Sequence, residues 1–81
     1  MTTLREFVQE AVMRDVWVYE EKTEYDFSYE NKYFALNRAG HLHGMYCGTT
    51  NKATWYSRPM MQFSKSYRKF QRIKLKDVEA K

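Results

Sequence analysis

His41 and His43, separated by Leu42, are the side chains best suited to share a metal ion. On a regular strand, residues two apart point to one face about 7 Å apart, near enough to bind one ion. Cys47 has the same parity, but six residues of strand carry it about 20 Å from His41. No H-E-x-x-H, C-x-x-C or EF-hand loop supplies a third ligand. The pair is therefore expected to face solvent beside a turn, without a metal. The same separation denies Cys47 a histidine base, and a lone thiol is expected to pack as a small hydrophobe. Asp26 and Glu30 could form an acid/base pair, yet acids that alternate with aromatics read as the wet face of a strand. Gly44-Met45-Tyr46-Cys47-Gly48 has neither Walker A nor dinucleotide spacing. No catalytic residue and no cofactor is expected.

Binding chemistry is better represented. Residues 1–30 carry eight acids against three bases, and residues 31–81 carry eleven bases against two acids. Such asymmetry fits a molecule with an electrostatic front and back, or a homodimer whose protomers meet acid to base. It also fits halves that neutralise each other within one fold, and exposed pairs of that kind add little stability. The run Trp55-Tyr56-Ser57-Arg58-Pro59-Met60-Met61 contains Trp, Tyr, Arg and Met, the types enriched at binding hot spots. Trp55 and Met60 are expected in the core, leaving Tyr56, Arg58 and Met61 for a partner. Lys65, Arg68, Lys69 and Arg72 share one side of a helical wheel and could neutralise phosphates or meet an acidic surface. No RRM, KH, zinc-finger or helix-turn-helix signature accompanies them.

The elements that would position these residues follow from periodicity. Thr3 with Glu6 fits a capping box, and Leu4, Phe7, Val8, Ala11 and Val12 form an apolar stripe, predicting a helix over about residues 3–14. Val16–Tyr19 is β-branched and aromatic, hence strand. Tyr25, Phe27 and Tyr29 alternate with polar residues, so a second strand is expected after a loop at Glu21-Lys22-Thr23. A competing pattern makes 24–38 a helix through Tyr25, Tyr29, Tyr33 and Leu36. Tyr33–Asn37 and His41–Cys47 form a hairpin that turns through Asn37-Arg38-Ala39-Gly40. Residues 48–52 make a turn, and Ala53–Ser57 a further strand. Ser57 then caps a basic amphipathic helix, with Pro59 in its first turn and Met60, Phe63, Tyr67, Phe70 and Ile73 on its apolar side. From Arg72 onward an edge strand guarded by lysines fits equally well. The tail from about residue 78 is expected to fray.

With 81 residues, 17% aromatic content, one Cys, three Gly and one Pro, the chain fits one small folded domain without a disulfide framework. A mean hydropathy of −0.81 leaves no apolar run long enough to span a membrane. Arg5, Glu6, Glu10 and Arg14 interrupt what a signal peptide would need, so a cytoplasmic protein is expected. The fold class is α+β: an N-terminal helix on an antiparallel sheet of three to five strands, then a basic amphipathic C-terminal segment. The function expected is a small non-catalytic adaptor or inhibitor, of the kind found among viral accessory proteins. It would bind a nucleic-acid-handling enzyme or complex through its basic and aromatic surface. Direct nucleic-acid binding is the second expectation, and a small metal- or thiol-dependent enzyme the third.

Overall fold

Helix α1 spans Leu4–Met13 because both of its ends are capped by its own sequence. At the start, the Glu6 N–H donates to Thr3 Oγ1 at 3.1 Å, and Glu6 Oε1 accepts from the Thr3 N–H at 3.1 Å and hydroxyl at 3.0 Å. The Thr3 backbone N–H, and after it the hydroxyl, hold the Glu6 carboxyl below its usual pKa. At the end, Asp15 takes the left-handed conformation (φ 59°), its N–H donating to Val12 O and the Val16 N–H to Ala11 O. These two bonds are a Schellman closure, with Asp where glycine is commonest. The turn delivers Val16, buried, directly into the first strand.

The computed structural model describes residues 1–21, 32–60 and 70–79. Five strands, β1 (Trp17–Glu21), β2 (Lys32–Leu36), β3 (Leu42–Cys47), β4 (Lys52–Met60) and β5 (Phe70–Ile73), form an antiparallel sheet in the order β4-β3-β2-β1-β5. A short helix α2 (Leu75–Glu79) follows, and the Lys74 N–H that begins it donates to Asp77 Oδ2 at 2.8 Å. The registers line up two kinds of cross-sheet row. Ile73, Val18, Ala35, Gly44 and Trp55 form one, and Gln71, Glu20, Tyr33, Tyr46 and Ala53 the next, both on the face that α1 covers. Between them lie Arg72, Tyr19, Phe34, Met45 and Thr54, on the opposite face.

Phe7, Val8 and Ala11 of α1 are buried on the first face. The Phe7 ring stacks 4.8 Å from Trp55 and 5.4 Å from Tyr46. Gly44 gives Trp55 its place, since a Cβ there would lie 2.5 Å from Trp55 Cε3 and 2.9 Å from the Thr54 carbonyl oxygen. The Tyr46 hydroxyl lies 2.8 Å from Thr2 O and 2.9 Å from Asn51 Oδ1, tying the chain start to the β3–β4 turn. Val12 departs from the expected stripe. It is 62% exposed, because residues 7, 8 and 11 already fill the contact with the sheet.

The N-terminal helix, the first strand and the β2–β3 hairpin form as the sequence predicts, with Gly40 at φ 78° in the turn. The competing helix over 24–38 is overturned at 32–36, which pair on both sides as β2. The rest of that stretch, including Tyr25, Phe27 and Tyr29, lies outside the described residues. The helix expected from Ser57 is also overturned at its two ends. Residues 57–60 continue β4, an edge among the described strands, where Pro59 costs no ladder bond. Phe70–Ile73 pairs with β1 instead, the edge strand that the alternation near Arg72 suggested. Backbone pairing overrides a helical wheel there. The tail is ordered further than expected, since Val78 packs against the core from α2.

Candidate functional site

The face away from α1 carries a row that ends in the basic residues. Trp17 of β1, Leu36 of β2, Leu42 of β3 and Met60 of β4 lie in register at the β2–β3 turn end of the sheet. Three strand spacings separate Trp17 from Met60, about 14 Å. Leu36 and Leu42 are buried with Phe34, and Tyr19, Met45 and Tyr56 pack around them. The row begins and ends in more accessible side chains: Trp17 is half-buried and Met60 is 50% exposed.

Two arginines converge on Trp17. Arg72 of β5 stands across from Tyr19, and its guanidinium carbon lies 4.7 Å from the Trp17 ring centroid. Arg38, in the turn, places its own 5.8 Å from the same ring. Both distances are within the range at which an aromatic face attracts a cation. Neither arginine has a carboxylate partner among the described residues, and both side chains are exposed. Like charges gathered on one indole repel each other, and their in-plane N–H donors remain free to fork onto a carboxylate or phosphate. Chemically, this is a preorganised anion-recognising edge with an apolar floor.

The turn that presents Arg38 is built by Asn37. Its Oδ1 accepts from the Ala39 and His41 backbone N–H groups, each at 2.9 Å. That fixes the amide orientation, so Nδ2 must be the atom that donates to His43 Nε2 at 3.1 Å. His43 therefore carries its ring proton on Nδ1. It is also a bulge residue: Ala35 pairs with Gly44 while Leu36 pairs with Leu42. On the other side, β4 extrudes Tyr56-Ser57-Arg58-Pro59 opposite it, since Gly44 pairs with Trp55 and Leu42 with Met60. The regular spacing assumed for His41 and His43 does not hold across this bulge, and the Nε2 lone pair of His43 is already engaged. Among the described residues, no three His, Cys, Asp or Glu side chains gather where they could hold a metal. Asp26 and Glu30 lie outside the described residues.

Of the residues expected to bind a partner, Arg72 and Arg58 are exposed on or beside this face, Arg58 on the extruded segment. Tyr56 is half-buried, its hydroxyl donating to Met45 Sδ at 3.1 Å, so it supports the face more than it reaches from it. Trp55 lies on the other face under Arg14, whose guanidinium sits 4.4 Å from its ring. Met61, Lys65, Arg68 and Lys69 lie outside the described residues. Trp17 and Arg38 were not among the expected site residues. Trp17 could have been found by parity, because the apolar Val16 and Val18 flank it and turn it to the opposite face. Arg38 carried no signal beyond its place in a turn. No described helix is long and apolar enough to cross a membrane. Comparison with protein-family models, curated proteins and solved structures finds no match to this chain.

Proposed function

We propose that this protein is a non-catalytic adaptor or inhibitor that binds an acidic surface on a macromolecular partner. The partner class is a nucleic-acid-handling enzyme or complex. The observation that carries the proposal is the pair of guanidiniums on Trp17 without an acid among the described residues to neutralise them. Arginine and tryptophan dominate binding hot spots because they combine wide contact area with directed donors. The exposed Met60 and Arg58 extend the surface toward β4, giving an apolar centre with cations at its rim. An indole already stacked by guanidiniums is a poorer platform for nucleobases than a bare one, which favours a protein surface over a free single strand.

A tagged chain used for capture from lysate, with and without nuclease, tests the partner class. A partner retained after nuclease and lost with Arg72→Glu supports the proposal. Loss of all partners on nuclease treatment, with a binding constant for free nucleic acid that falls steeply with salt, would replace it with direct nucleic-acid binding.

A further inference from the structure

The face of the sheet that α1 covers holds a cavity of about 250 Å³, far more than the roughly 10–15 Å³ that admits one water. Its floor is the cross-strand row Gln71, Glu20 and Tyr33, and its walls come from Leu4 of α1 and from Ile73, Asp77 and Val78. The lining combines the apolar Leu4, Ile73 and Val78 with the polar Glu20, Gln71, Tyr33, Asp77 and Arg72. Glu20 is half-buried and has no hydrogen-bond or ion-pair partner among the described residues. Asp77 is partly committed, because its Oδ2 accepts the Lys74 N–H. Arg72 contributes to the lining, but its guanidinium is drawn over Trp17 on the other face.

We propose that this cavity binds an alkylammonium group, such as a lysine side chain, with Glu20 as the counter-ion and Leu4, Ile73 and Val78 against the alkyl stem. A carboxylate partly removed from water gains most from a cation that can also donate hydrogen bonds. The Tyr33 hydroxyl, whose pKa burial and then the nearby Glu20 charge raise, supplies a further polar contact. A guanidinium has the right charge but a rigid planar fork of donors, whereas an ammonium turns freely on its flexible stem to meet a single carboxylate. The cavity adjoins the arginine edge at Arg72, whose backbone strand lines it while its guanidinium lies over Trp17.

Titration of the isotopically labelled protein with n-butylammonium, followed by NMR at Val78, Ile73 and Leu4 methyls, tests the site. Saturable shifts confined to those residues are expected, with n-butanol at least tenfold weaker and Glu20→Gln losing at least tenfold. A short Gly/Ser peptide with one lysine identifies the source. Saturation by both ligands points to a partner's lysine, and by butylammonium alone to a small amine. Absence of shifts, or equal binding of butanol and butylammonium by the wild-type protein, overturns the proposal. That wild-type comparison decides the matter even if Glu20→Gln does not fold.

Discussion

The two faces of the sheet differ in how they use aromatic residues. On the α1 side, the Phe7 ring stacks with Tyr46 and Trp55; Phe7 and Tyr46 are buried, and Trp55 is half-buried under the Arg14 guanidinium. On the other side, Trp17 is half-buried at the sheet's end and meets two cations and no aromatic ring among the described residues. A fully buried ring such as Phe7 or Tyr46 contributes roughly 1.5–3 kcal/mol, and a ring pair about 0.5–1.5 kcal/mol more. A cation on an exposed ring contributes only about 0.5–1 kcal/mol. With the proposed function, the same residue types serve stability on one face and recognition on the other, and mutations should separate the two.

The largest effect is expected for Phe7→Ala, which removes a ring that is 0% exposed and stacked against two others. A loss of about 3–5 kcal/mol is expected, most of what a chain this size has, measured by urea denaturation. A midpoint close to wild type would mean that the α1 face does not hold the fold. Next comes Gly44→Ala. Its methyl would meet the Thr54 carbonyl, which cannot move without the strand, and the Trp55 ring. Overpacking of this kind costs about 1–3 kcal/mol, and the Trp55 fluorescence should change with it.

Thr3→Ala removes the cap of α1 and should cost about 1 kcal/mol. The partner of that cap gives a pH dependence with a definite sign. Because the Glu6 carboxyl is held below its usual value of about 4.3, the unfolded chain binds its proton more tightly than the folded one. Its contribution is present above that pH and lost as pH falls through the folded value. Glu6→Gln should therefore flatten the decline in stability below about pH 5, and an unchanged slope would remove Glu6 from the account. The smallest effect has the opposite sign. Asp15→Gly relieves a left-handed backbone at the helix end and should stabilise by roughly 0.5 kcal/mol, net of the extra freedom glycine gains when unfolded.

The helix-side face was largely legible in the sequence. The capping box, the spacing of Phe7, Val8 and Ala11, and the turn glycine at 40 are local signals, and each predicts what forms there. The C-terminal segment was not, because its wheel of Met60, Phe70 and Ile73 fits a helix as well as it fits separate strands. Pairing of Phe70–Ile73 with β1, some fifty residues earlier in the chain, decides between them, and no local pattern encodes it. The site was half visible for the same reason. Arg72 stood out as one of a row of cations, but its partner Trp17 and its neighbour Arg38 meet it only through the order of strands. The bulge at His43, which spoils the histidine pair and extrudes Arg58, depends on registers on both sides of β3.

Reversing the charge of both arginines, Arg38→Glu with Arg72→Glu, tests the division of labour between the faces most directly. The melting temperature and the affinity for the nuclease-resistant partner should be measured on the same preparation. Losing two cation–ring contacts should cost no more than about 1–2 kcal/mol, well short of the loss expected for Phe7→Ala. The account predicts that small shift together with at least a hundredfold loss of affinity. Wild-type affinity in a folded double variant would contradict it, and would leave the guanidiniums on Trp17 as surface packing alone.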